Sequence, residues 1–442
     1  MQKKSTLWYT LLLSVFVVLV SACGSNTPLN TSSAPRTATV SPGESIYVLD
    51  GYTPLGSTNT AQQIVAFHPD GSHPKTVVSL PAGLTSLDHK RLYTAIAQSG
   101  KTTLRVVDTQ SGATIRSLVI DGTYTTNGQD FNNAVLSFDG HWLALRQLGQ
   151  TSNGTTIVLV DTQVGKLAQT IHLSGTFDVD AVNPDGSRIY LLERLHDTTG
   201  HYYVRLYNVV EHELYGNVIA DKSEINDPRM VGTALARQMS SDGKFVYTLY
   251  VDTSRNIAFV HVLPLTDQLY FARCLDLPVG RVPSLLRYYT LTLSSDGTTL
   301  YAANGALGVV STLSLDSGVI FNDQVSATLH FNPNANVNQD DKTRLLHNGA
   351  VLSPDNSKLY FVSMQGIMAI NTNDINAERS DSLIEYQSPH SFTSIALSAD
   401  GHILYAVDPV SGITLVNAHD GQVQQVIQGP ARSPWGIEWI VN

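Results

Sequence analysis

The run Ser99-Gly100-Lys101-Thr102 has the closing residues of a phosphate-cradling loop, in which backbone amides and a lysine surround a phosphate. The loop's first glycine would fall at position 95, which is Ala95, and the apolar stretches on both sides read as strands, with no helix to complete an anion site. A turn between two strands is the better reading. The 14 histidines form no H-x-H or H-E-x-x-H pattern, so the spacing of a zinc site is missing. No G-x-S-x-G elbow marks a serine nucleophile. The segment Asn332 to Lys342, NPNANVNQDDK, places oxygen ligands at alternate positions, with Asn336, Asn338, Asp340 and Asp341 as calcium candidates. The glycine and closing glutamate of a regular calcium loop are absent, so a solvated insertion loop is the leading reading. We assign no catalytic residue, metal or cofactor from these motifs.

Two cysteines bear on chemistry of another kind. Lys3 and Lys4 precede an apolar stretch, Leu7 to Val20, that is short for a bilayer span and has the layout of a secretory signal. It ends in Val20-Ser21-Ala22-Cys23, which resembles the lipobox of bacterial lipoproteins. That resemblance implies cleavage before Cys23 and acylation of its thiol. Residues 1–22 are then a signal peptide, and residues 23–42, rich in Ser, Thr, Asn and Pro, a flexible tether unable to bury a core. The expected location is extracytoplasmic, with a lipid anchor in the membrane; Gly24 in place of Asp directs it to the outer membrane of a two-membrane cell. Cys274, the other cysteine, has no partner for an intrachain disulfide and reads as a buried inert thiol.

The elements that position any site must come from residues 43–442. Hydrophobic residues make up 42% of the chain and charged ones only 14%, with Gly, Ser and Thr abundant, which favours many short strands joined by turns. The net charge of −10 is spread without basic blocks, so a nucleic-acid partner is excluded.

One phrase recurs: LSFDGHWLAL from Leu136, VNPDGSRIYL from Val182, MSSDGKFVYT from Met239, LSSDGTTLYA from Leu293, LSPDNSKLYF from Leu352 and LSADGHILYA from Leu397. Weaker copies start at Ser41 and Ser86. The aspartates from Asp88 to Asp400 lie 51, 46, 57, 54, 59 and 45 residues apart, the period of a four-stranded propeller blade. Asp caps its own turn and Gly accepts positive φ, so each phrase joins two strands. The expected fold is all-β, a single propeller of four-stranded blades, eight by repeat count with seven as the alternative. The first copy lacks an inner strand, and the last residues, Pro434 to Val441, form an orphan one, so the C-terminal strand is expected to close the ring. These phrases, with segments such as Leu300-Tyr301-Ala302-Ala303-Asn304, resemble the YVTN and surface-layer type propeller repeats, relatives in form of the WD40 and lactonase-like propellers. The resemblance implies the fold and leaves the function open.

Long loops entering the inner strands are expected to gather Tyr124, Asp130, Arg229, Arg287, Tyr288, His347, His390 and Trp435 on one face, as a partner-binding surface rich in aromatic and Arg residues. The expected function is a non-catalytic binding or scaffold module for a protein or glycan. The alternative is an extracytoplasmic propeller enzyme, lactonase-like or a metal-assisted hydrolase.

Overall fold

The repeat phrases that carry an aspartate close their turns with one hydrogen-bond pattern. Ser137 Oγ donates to Asp139 Oδ1 (2.6 Å), that oxygen also accepts from His141 N (3.1 Å), and Trp142 N donates to Ser137 Oγ (2.9 Å). The pattern recurs at Ser86/Asp88, Ser240/Asp242, Ser294/Asp296, Ser353/Asp355 and Ser398/Asp400. Asn183 replaces the serine in the Asp185 copy. The turn requires a left-handed residue after the aspartate: Gly140 has φ 71°, and where glycine is missing Asn356 (57°) and His89 (54°) take its place.

The same bonds hold the carboxylates of Asp88, Asp296 and Asp355 below their usual range. The Ser86 hydroxyl does so for Asp88 and the Ser294 hydroxyl for Asp296, while Ser353 and Ser357 bring Asp355 down to about 2. A carboxylate depressed on folding stabilises the fold above its unfolded value of about 3.9, and that contribution is lost as pH falls through the folded value. Acidification from about pH 4 towards pH 2 should therefore lower the melting temperature. Asp355→Asn should flatten part of that drop, and an unchanged melting profile against pH in this variant would exclude a role for the turn bonds.

In this computed structural model the described residues are 40, 43–52, 62–126, 132–150, 154–197, 200–221, 227–265, 271–315, 322–333 and 344–441. Cys23, Asp130 and the calcium candidates Asn336, Asn338, Asp340 and Asp341 lie outside them. Every described strand falls within residues 38–442, one compact unit. No described helix is long and apolar enough to cross a membrane.

The strands assemble as antiparallel quartets. The first combines Ser45–Asp50, Gln63–Phe67 and Thr76–Pro81 with the chain's last strand, Pro434–Val441. Seven more follow, beginning at Leu84–Thr85, Ala134–Leu136, Thr176–Val182, Thr233–Met239, Thr290–Leu293, Ala350–Leu352 and Ser394–Leu397. The first strands of the fifth to eighth quartets and the closing strand lie in sequence against one another, as inner strands of a propeller must. The fourth and fifth quartets are further joined at their outer edges by parallel pairing of Ala220 with Phe271 and Asp221 with Ala272, which makes one eight-stranded sheet.

Apolar residues fill the spaces between quartets; for example Leu249, Val260 and Val262 of the fifth pack with Leu300, Ala302 and Leu313 of the sixth. Tyrosines of the repeat phrase stitch neighbouring quartets together. Tyr47 Oη donates to Thr109 O (3.3 Å), Tyr360 Oη donates to Ala418 O (3.0 Å), and Tyr405 of the eighth quartet donates to Glu44, which leads into the first. Closure is thus made by side chains as well as by the C-terminal strand.

Candidate ligand site in the central channel

Where the inner strands converge they enclose a cavity of about 620 Å³. Its wall is mostly apolar, with Leu84, Val135, Leu136, Leu235, Leu291 and Leu346 among the residues that form it. Four wall residues, Asp180, Leu235, Trp435 and Glu438, share one backbone feature. Each is the extra residue of a β-bulge: the pairing of inner to second strand skips Asp180 between Val179 and Ala181, and Leu235 between Ala234 and Ala236. In the closing strand it skips Trp435 and Glu438. A bulge breaks the alternation of side chains and re-aims one of them, a device common beside functional sites.

Both bulge carboxylates are matched by a cation from another quartet or loop. Asp180, 1% exposed, accepts through Oδ1 from Arg237 Nη2 at 2.6 Å, and Arg237 Nε also donates to Thr248 Oγ1 (3.2 Å). Asp180 Oδ2 is buried and has no hydrogen-bond partner among the described residues. Opposite strand pairing places Arg237, Thr248, His261 and Cys274 in one row across the fifth quartet. Burial lowers the pKa of His261, so this row carries a neutral imidazole behind the Asp180–Arg237 pair.

The second pair is His347 Nε2 and Glu438 Oε1, 3.0 Å apart. Burial works against charge on His347, yet the charge and contact of Glu438 outweigh it and hold the imidazole protonated to higher pH than usual. The His347 ring lies 5.0 Å from that of Trp435, whose Nε1 donates to Leu345 O (3.1 Å). A Cβ on Gly436 would sit 2.2 Å from His347 Cδ2, so glycine alone lets the closing strand pass the imidazole. On the inner strand Thr176–Val182, Asp178 is shared by Arg146 (3.3 Å) and Arg194 (2.7 Å), and Asn133 Oδ1 also accepts from Arg146.

The residues expected to form one binding face are dispersed by the structure. His347 and Trp435 meet in the cavity wall. Tyr124 is 2% exposed and packs with Leu104, Ile120 and Leu145 between the second and third quartets, so it belongs to the core and cannot touch a partner. Tyr288 is likewise buried, with the Arg344 guanidinium 5.4 Å from its ring centroid. Arg287 turns back to donate to Ser284 O (3.0 Å). Arg229 forks onto Asp227 at 2.7 and 2.6 Å on the surface, and this bond holds Asp227 down to about 2.

His390 Nδ1 lies 2.8 Å from Ser411 Oγ and 3.4 Å from Asp408 Oδ2. Both partners meet the same ring nitrogen, so this trio lacks the two-sided imidazole relay of a serine nucleophile. Ser99 to Thr102 forms the expected hairpin turn between Arg91–Gln98 and Lys101–Asp108. Cys274 is partly rather than fully buried, its sulfur 3.9 Å from Met230 Sδ. Among the described residues no group of three or more His, Cys, Asp or Glu is placed to hold a metal ion.

Asp180, Arg237 and Glu438 are the site residues that sequence reasoning missed. The available signal was a charge inside an otherwise apolar inner-strand segment, as in Thr176-Phe-Asp-Val-Asp-Ala-Val182 and Gly436-Ile-Glu-Trp-Ile440.

No protein-family model and no curated protein matches the chain. Among solved structures, AztD of Citrobacter koseri superposes with a TM-score of 0.51 at 10% identity, covering 90% of this chain and 97% of that one. Dihydro-heme d1 dehydrogenase NirN, in complex with DHE, gives 0.50 at 16% identity over 93% and 78%. The periplasmic gluconolactonase PpgL of Pseudomonas aeruginosa gives 0.41 at 15% identity over 79% and 99%. At such identities the first two likenesses speak of fold alone, and they agree with the β-propeller built above.

Proposed function

We propose that this chain is an extracytoplasmic propeller, anchored through a lipid on Cys23, that binds a ligand in its central channel without transforming it. The observation that carries the reading is the cavity itself, hollow and mainly apolar, with its charged groups already paired as Asp180–Arg237 and His347–Glu438. Such a pocket, apolar with few convergent polar groups, has the size of a small-molecule site. Catalysis would call for a nucleophile and a base aligned on a reacting atom, and the cavity wall offers two carboxylates each engaged by a cation. The signal layout and tether supply the location. In a two-membrane cell the anchor would lie in the outer membrane.

Native mass spectrometry of the protein isolated from its own envelope tests this. The expected result is an N-terminal acylated Cys23 together with a non-covalent small-molecule adduct that stays chemically unchanged when returned to the protein for hours. An unmodified N-terminus overturns the anchor. Progressive conversion of the adduct overturns the binding role in favour of an enzyme, and a protein free of any adduct that also depletes nothing from an envelope extract overturns channel binding.

A further inference from the structure

Two arginines meet at the end of the propeller where the inner strands begin. Arg146 is the last residue of Trp142–Arg146, the second strand of the third quartet, and Arg194 the last of Arg188–Arg194, that of the fourth. Second strands run antiparallel to inner ones, so Arg146 finishes beside the start of Ala134–Leu136 and Arg194 opposite Thr176. Asp178 follows on that inner strand, and Asn133 stands immediately before the other. None of these four residues lines the cavity.

Charge does not balance here. The buried Asp178 meets Arg194 Nε through Oδ2 (2.7 Å) and Arg146 Nε through Oδ1 (3.3 Å), so one carboxylate answers two guanidinium groups. The group keeps one positive charge in a chain whose net charge is −10. Glu193, the acid next to Arg194, points to the opposite face of its strand and is engaged by Arg205. Asp180, two residues beyond Asp178, is engaged by Arg237. Neither answers the second arginine.

Both guanidinium groups are held in place. Arg146 donates to Asn133 Oδ1 through Nε (3.0 Å) and Nη2 (2.5 Å), and Arg194 rests 4.9 Å from the ring centroid of the buried Tyr202. What this leaves unused is the outer edge of Arg194. Its Nε is given to Asp178, its Nη1 and Nη2 have no acceptor among the described residues, and the side chain is 31% exposed. Arg146, 23% exposed, likewise has no acceptor for Nη1 among the described residues. Two parallel N–H groups on a planar fork match the two oxygens of a carboxylate.

We propose that Arg146 and Arg194 form a binding site for a ligand carboxylate, which takes the outer edge of Arg194 beside Arg146 and brings the group to neutrality. A dianionic phosphate would bring one negative charge too many, and a neutral hydroxyl would leave the positive charge unanswered. This site stands apart from the cavity ligand of the reading above.

Benzoate, benzyl alcohol and inorganic phosphate are titrated by calorimetry into the full chain at a pH of about 8, where phosphate is chiefly dianionic, and at constant low ionic strength, where screening is weak. Benzoate should bind with a dissociation constant of about 1 mM or lower, in line with its small number of atoms. Phosphate should be roughly tenfold weaker and benzyl alcohol weaker still. Arg194→Gln should weaken benzoate roughly tenfold, the loss of one charge-assisted bond. Arg194→Lys keeps the charge but not the fork, and should lie close to the Gln variant. Arg146→Gln takes the place of Arg194→Gln should the latter not melt like the parent.

Equal binding of benzyl alcohol would overturn the anion assignment, and equal or tighter binding of phosphate would overturn the choice of a carboxylate. Parent-like binding by Arg194→Lys would overturn the fork. Benzoate binding unchanged in both Arg194→Gln and Arg146→Gln would overturn the site and place benzoate elsewhere, the channel included. Absence of benzoate binding would overturn the site and leave the channel reading standing.

Discussion

Deletion of residues 434–442 is expected to abolish cooperative folding of the propeller. The strand Pro434–Val441 pairs with Ser45–Asp50 along its length and supplies the inner edge of the first quartet. Trp435, Ile437 and Trp439 are 6%, 2% and 5% exposed. The Trp439 ring stacks on Tyr47 at 4.4 Å and lies 5.4 Å from His89 of the second quartet, its plane parallel, so it joins two quartets as well as two strands. Removing one buried Trp or Phe side chain costs about 3–5 kcal/mol, and a whole protein is stable by only about 5–15 kcal/mol. Loss of three large buried side chains, together with an exposed sheet edge, should therefore exceed the margin and give aggregation. Trp439→Ala alone should lower stability by about 3–5 kcal/mol while leaving a cooperative transition. Calorimetry of the truncated and substituted proteins decides the matter. A truncated chain that melts like the parent would show that the ring does not depend on this strand.

This closure was legible because it rests on counting. The phrase around each aspartate repeats, the first copy lacks a strand, and the apolar run at the end supplies one. The roles of Asp and Gly in the turn were equally legible, the one bonding its own backbone and the other accepting positive φ, whereas the serine bond appears only in the structure.

The cavity was not legible, for two physical reasons. First, a sequence offers only the type and position of a loop residue, and type cannot say whether a side chain stays at the surface. Tyr124 and Tyr288 are aromatic and flank inner strands, yet both are drawn into the core because burying an aromatic ring is worth more than exposing it. Second, the residues that mark the site depend on bulges. Asp180 and Glu438 lie in segments that read as ordinary inner strands, and only the register against the second strand reveals that each is an inserted residue. A one-residue change of register moves a side chain to the other face, and nothing local in Thr176 to Val182 announces it.

Breaking the Asp180–Arg237 pair should cost as much as removing the Trp439 side chain. The Asp180 side chain is 1% exposed and that of Arg237 15%, and the pair spans the fourth and fifth quartets at 2.6 Å. Taking two charges out of water is costly, and their attraction offsets that cost only while both are present. Arg237→Met leaves the Asp180 carboxylate buried without its cation, and Asp180→Leu leaves the guanidinium without its anion, so each should cost about 3–5 kcal/mol in a denaturant melt. The double variant, Asp180→Leu with Arg237→Met, removes both charges and fills the space with apolar atoms. It should recover most of the loss, because apolar replacement of a buried ion pair is often neutral or stabilising. Losses that simply add in the double variant would mean that the two side chains act independently and that the 2.6 Å contact is not an energetic unit.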